Sequence, residues 1–194
     1  MKQFSIYPPI PSKKPVAGQL LIAEPLLSDD HFTRSVILLC EHSSEGSVGF
    51  VLNQSSDYKL HDLLSDFVVD GPTVYKGGPV QKDTLHMIHK APHILGAGMQ
   101  IAKDIYWGGS FDEIKQLESS GVDMEIDLRL FLGYSGWAPG QLEDEIKEGT
   151  WLIANATEEI IFGTSQNDIW KKSISLLGKE YAYLAHIPTD PQLN

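Results

Sequence analysis

Apolar positions along this chain come in short blocks, and their spacing changes from block to block. Residues 18–23 (GQLLIA), 35–40 (SVILLC) and 48–52 (VGFVL) are continuous apolar runs. Runs that short and rich in branched residues predict strands covered on both faces. The last two are predicted to pair as an antiparallel hairpin across a turn at 41–47, with Gly46 free to take positive φ. Between the first two runs, residues 28–34 read as a loop or one helical turn with Ser28 and Asp29 as caps. Leu60, Leu63, Leu64 and Phe67 have helical spacing, which predicts a short amphipathic helix over 60–67.

Residues 73–80 (TVYKGGPV) predict a strand running into a Gly-Gly-Pro turn, and 85–89 and 101–107 predict two more strands. Ser110 followed by Glu113 spells a capping box for a helix carrying Phe111, Ile114 and Leu117 on one face, stopped by Gly121. Residues 124–132 (MEIDLRLFL) alternate apolar with charged, predicting a strand with one wet face. A glycine- and aromatic-rich corner, GYSGW at 133–137, then leads into a helix that begins at Pro139, carries Leu142 and Ile146, and ends at Gly149. Residues 151–156 predict a strand and 157–162 a turn or short helix. A helix capped near Ser165 carries Trp170, Ile174 and Leu177 and stops at Gly178, and 181–186 predict a last strand. Strands and helices do not alternate regularly, so the class is α+β rather than a doubly wound sheet.

Composition narrows the functions. At 194 residues and 42% apolar, the chain is long enough to build a core unaided. The predicted organisation is an extended, proline-rich arm over 1–17, one α+β domain over 18–187 and a tail over 188–194. A lone cysteine, Cys40, rules out an internal disulfide framework and suits a reducing compartment. With no apolar signal-peptide core and no membrane-length apolar run, a cytoplasmic protein without membrane attachment is expected. Fifteen basic residues against twenty-six acidic ones give a net charge of −11. Counterion release needs a basic stripe, so direct nucleic-acid binding is not expected.

Each chemical motif has a plainer explanation. Ser135 follows a strand, but Trp137 occupies the place where a nucleophile elbow needs glycine. His86, His89 and His93 are close in sequence without the spacing that aims ligands at one metal. Cys40 ends a buried run and reads as a small hydrophobe. Gly77-Gly78-Pro79 has the form of either an anion nest or a tight turn. Glu143, Asp144 and Glu145 open a helix, where the macrodipole favours acids. No cofactor motif is present, so no cofactor is expected.

Taken in order, GQLLIAEPLLSDDHFTRSVILLCEH, GSVGFVLNQ, YKGGPV, GYSGWAPGQLEDEI and Trp151 resemble the AlgH/YqgE-like family of bacterial proteins, from Gly18 to about Gly178. The resemblance implies a mixed, largely antiparallel bifurcated sheet forming a pseudo-barrel, with flanking short helices. It implies no particular activity; one member carries the label of transcriptional regulator of exopolysaccharide synthesis. The matching motif residues are Arg34, His42, Gly49, Asn53, Gly77, Gly78, Pro79, Gly133, Gly136, Trp137, Gln141, Leu142 and Glu143. Of these, Arg34, His42, Asn53, Gly77, Gly78, Trp137, Gln141 and Glu143 form the candidate cluster, either a ligand site or a structural network. The expectation is a non-enzymatic regulatory or binding protein with a protein partner or small ligand. The alternatives are an enzyme using His42 and Glu143 as acid and base with Arg34 as anion anchor, and, last, a DNA-binding regulator. A buried Arg34–Glu143 pair is the structural alternative.

Overall fold

The computed structural model describes residues 13–64, 72–120 and 128–188. Three apolar runs form three neighbouring strands, Gln19–Ala23 (β1), Val36–Ser43 (β2) and Gly46–Val51 (β3). They pair antiparallel, Leu20 opposite Leu38 and Ile37 opposite Val51. The runs are continuously apolar because both faces are covered. Leu20, Ile22, Val36 and Leu38 enter one core cluster, and Leu21, Ile37 and Leu39 enter another. The expected turn at 41–47 shrinks to Ser44–Glu45, because His42 and Ser43 continue the ladder opposite Ser47 and Gly46.

The other strands are Val74–Lys76 (β4), Val80–His89 (β5), Met99–Ala102 (β6), Ile105–Trp107 (β7), Leu128–Trp137 (β8) and Trp151–Asn155 (β9). The sheet order is β6-β7-β5-β8-β3-β2-β1-β9, with β4 parallel to β8. It forks along β8. One half, Leu130–Leu132, pairs with β4; the other half, Ser135–Trp137, pairs with β3. Gly77 bridges the fork. Its N–H donates to the Leu132 carbonyl (2.8 Å), while its own carbonyl accepts from the Val51 amide (2.9 Å) and the Ser135 hydroxyl (3.1 Å). A Cβ there would lie 2.2 Å from the Gly133 carbonyl oxygen, so only glycine fits. The sheet curls until Gly18, just before β1, lies against the backbone of Ile101 in β6. It is not closed into a barrel: β6 and β9, its two ends, do not pair.

Short helices flank it: Leu60–Leu63 (α1), Pro92–Leu95 (α2), Phe111–Ser120 (α3), Gln141–Glu148 (α4) and Gln166–Ser175 (α5), with a π turn at Glu159–Gly163 and a 3₁₀ helix at Lys179–His186. The predicted antiparallel α+β class holds, and several local expectations change. GYSGW at 133–137 is not a corner but the second half of β8, and the turn comes only at Ala138–Gly140. Pro139 does not start the helix, because Gly140 in the left-handed region (φ 78°) is its N-cap. Residues 181–186 are helical rather than a strand, since Tyr181 and Leu184 lie three apart and a 3₁₀ turn buries both. The wet face expected of β8 fails at Arg129, which is 5% exposed. The expected helix over 60–67 stops at Leu63, where Leu64 turns extended. Residues 1–12 of the arm, 65–67 of that helix, the Gly121 stop, 124–127 of the expected strand and the tail over 189–194 lie outside the described residues.

Candidate functional site

The corner around α4 is built on Glu145, which the sequence marks only as one of three acids opening a helix. Its Oε2 accepts from the indole N–H of Trp137 (2.8 Å) and of Trp151 (2.7 Å), while Oε1 accepts from the Gln141 side-chain amide (2.8 Å). Gln141 in turn accepts from the Ala138 backbone N–H (3.0 Å). Trp137 ends β8 and Trp151 begins β9, so one carboxylate ties both strands to the helix between them. The two indoles meet edge to face, centroids 6.0 Å apart. Leu142 is fully buried beneath the helix with Ile37, Leu39 and Val51. The sequence held a cue: Glu145 sits three and four residues after Leu142 and Gln141, on the same helix face.

Glu143 faces His42, with Nε2 to Oε1 at 3.7 Å, and His42 Nδ1 meets the Ser47 hydroxyl at 2.8 Å. Serine, histidine and carboxylate in line have the order of a hydrolase relay. Yet 3.7 Å exceeds hydrogen-bond reach, and Ser47 is 5% exposed within the sheet. The arrangement braces the end of the β2–β3 hairpin against α4.

Arg34 is elsewhere. It and His42 are an even number of residues apart, so an unbroken two-residue period would put them on one face. A β-bulge between Leu39 and Glu41 resets that period. Arg34 lies in the turn ahead of β2 at φ 55° and turns to the first core cluster, its guanidinium carbon 4.0 Å from the Trp170 ring centroid and an N–H donated to the Ile187 carbonyl. His42 turns to the α4 side. Asn53 stays with Arg34: its amide donates to the Arg34 carbonyl (2.8 Å) and its oxygen accepts from the Val36 amide (2.9 Å), pinning the start of β2. The structure thus brings His42, Trp137, Gln141 and Glu143 to the α4 corner, Arg34 and Asn53 to the other end of β2, and Gly77 and Gly78 to the fork. The Arg34–Glu143 pair does not form, since the two occupy opposite ends and faces of β2.

Other candidates settle individually. Ser135 is fully buried and donates to Gly77. Cys40 is 1% exposed, and burial pushes its thiol pKa well up. His86 packs among Phe50, Trp107 and Tyr134. His89 is fully buried: Nδ1 accepts from the Ala91 amide (3.1 Å), so Nε2 carries the proton given to the Gly108 carbonyl (2.7 Å). His93 is exposed. Among the described residues no group of three or more histidines, cysteines or acids is arranged to hold a metal.

A cleft of ≈ 390 Å³ lies beside Gly78 and Pro79. Lys76 and Lys82 line it together with Asp30, Asp57, Gln54 and the exposed Tyr58. The Gly-Gly-Pro segment shapes one wall, because Gly78 passes too close to the Tyr134 backbone to carry a side chain. The sequence marked the glycines but not the lysines, whose shared cleft depends on where β5 leaves the fork.

A forked antiparallel sheet with one helix strapped across its end by two tryptophans and a glutamate defines a particular α+β class. A family model described as AlgH-like matches residues 20–182, and the chain belongs to that family. A UPF0301 protein of Chlorobaculum tepidum is 38% identical over 177 residues, 91% of this chain and 95% of the relative. A UPF0301 protein of Chlorobium limicola is 40% identical over the same length and coverage. Among solved structures, a Corynebacterium diphtheriae protein matches at TM-score 0.71 and 26% identity, over 89% of this chain and 93% of its own. The AlgH protein of Pseudomonas aeruginosa, solved in solution, matches at TM-score 0.70 and 26% identity, over 91% and 97%. Among the described residues no helix is long and apolar enough to cross a membrane.

Proposed function

We propose that the protein is a non-enzymatic binding protein with a regulatory role in the cytoplasm, and that it takes its ligand in the cleft beside Gly78 and Pro79. The observation that carries this reading is the state of Lys76 and Lys82. Among the described residues neither side chain has a hydrogen-bond or ion-pair partner, and both line a cleft that also holds two acids and an exposed tyrosine ring. Two cations, two anions and an aromatic face suit a ligand of mixed charge, such as a peptide segment of a partner protein or a zwitterionic small molecule. A net charge of −11 favours such partners over nucleic acid.

The test is a thermal-shift screen of the full chain against short peptides, amino acids and nucleotides, run beside a Lys76→Glu, Lys82→Glu double variant. A ligand is expected to raise the melting temperature of the wild type and not of the double variant. Equal shifts in both proteins would move the site away from this cleft. Fluorescence anisotropy with nonspecific duplex at low salt is expected to show no binding; salt-sensitive binding would favour the DNA-binding alternative.

A further inference from the structure

Neither the α4 corner nor the cleft uses the buried cation at the fork, Arg129. It lies on β8, 5% exposed, just before the residues paired with β4. One N–H donates to the Leu52 carbonyl (2.9 Å) and another to the Thr164 carbonyl (3.4 Å), while the guanidinium carbon lies 4.6 Å from the Tyr75 ring centroid. All three partners are neutral. Among the described residues no carboxylate forms an ion pair with Arg129, and burial draws its pKa below the usual arginine value. A guanidinium carries five N–H donors, more than these two carbonyls engage.

The same side chain lines a cavity of ≈ 240 Å³, and among the described residues no acid lines it. Its polar wall comes from Thr73, Thr164, Ser165 and Gln166, the last two at the start of α5. The Thr164 and Ser165 hydroxyls are already donated, to the Glu159 carbonyl and the Asp168 carboxylate. Thr73 and the Gln166 amide have no hydrogen-bond partner for their side chains among the described residues. A buried positive charge with no anion paired to it among the described residues is costly; the nearby acid at the start of α5, Asp168, is engaged by the Ser165 hydroxyl. We propose that this cavity is a binding site for a small oxyanion, a carboxylate or a phosphate group, held by the Arg129 fork with donors from Thr73 and Gln166.

The experiment is isothermal titration of the full chain with sodium phosphate and, separately, sodium acetate, each against sodium chloride of equal ionic strength. The variants are Arg129→Lys and Gln166→Glu. The second leaves both carbonyl bonds of Arg129 in place and sets an acid at the cavity wall. Saturable binding of phosphate or acetate by the wild type is expected, weakened about tenfold or more in both variants. Gln166→Glu should melt at or above the wild-type temperature in anion-free buffer. Whichever anion binds assigns the phosphate or the carboxylate class. If Arg129→Lys fails to fold, Gln166→Glu carries the result alone. Heats no larger than the chloride control, or binding undiminished in Gln166→Glu, would overturn the proposal.

Discussion

Glu145 and Arg129 are both charges held by neutral partners, and they differ in what is left over. Around Glu145 two indole N–H groups and one amide use both carboxylate oxygens. These three donors converge on one carboxylate, and the result is a tie between β8, α4 and β9. Around Arg129 two carbonyls and a tyrosine ring leave donors to spare beside an open cavity. A charge on which donors from three elements converge is a strut; one with donors remaining and no counter-ion among the described residues is poised for a ligand.

The largest effect that would break this contrast falls on the strut. Glu145→Ala strands two buried indole donors and should lower stability by about 3 kcal/mol in urea unfolding, with Glu145→Gln recovering part of it. A loss near zero would mean the carboxylate does not hold the corner. Arg129→Lys should lose about 2 kcal/mol in anion-free buffer, because lysine cannot span both carbonyls. The two deficits should then diverge in phosphate. The gap between wild type and Arg129→Lys should widen, while the Glu145→Ala deficit stays constant.

A smaller effect distinguishes the two limbs of the sheet. Burial lowers the pKa of His86 and His89 on β5 from the ordinary 6.5. For His89 the bond to Gly108 opposes the shift without cancelling it. A histidine with a lowered folded pKa takes up protons more readily when unfolded. Its contribution is therefore complete above pH 6.5 and is lost as pH falls from there toward the folded pKa. Stability should therefore fall as pH drops below 6.5. Hydrogen exchange should quicken in β5 and β7 before β1 and β9, and His89→Gln should flatten the slope. The smallest effect belongs to Glu143→Ala. Its side chain is more than a third exposed, which makes its pair with His42 worth about 0.5 kcal/mol, and binding at the cleft or the cavity should be unchanged.

The strands were legible wherever burial on both faces made them continuously apolar, as in β1, β2 and β3. The family-marking glycines were legible too, although their purpose was not. GYSGW reads as a corner because two glycines in five residues weaken a strand, and only the close approach of the Gly78 and Val80 carbonyls shows why β8 keeps a glycine at Gly133. The cluster was half legible. Trp137, Gln141 and Glu143 do converge with His42. Arg34 does not join them, because it sits in the turn before β2 at positive φ while a bulge between Leu39 and Glu41 carries His42 to the other face, and a hairpin sequence does not announce a bulge. Arg129 was missed because an arginine within an alternating run reads as solvent-facing until β4 and the π turn cover it.

One spectrum distinguishes strut from site most directly: the ¹⁵N–¹H correlation of the full chain during a phosphate titration, with the Trp137 and Trp151 indole and Arg129 Nε–H resonances assigned. The Arg129 resonance and the amides of Gly163–Gln166 should move and saturate together, while the two indole resonances stay fixed. Moving indoles beside a stationary Arg129 would contradict the contrast and place the ligand at the α4 corner instead.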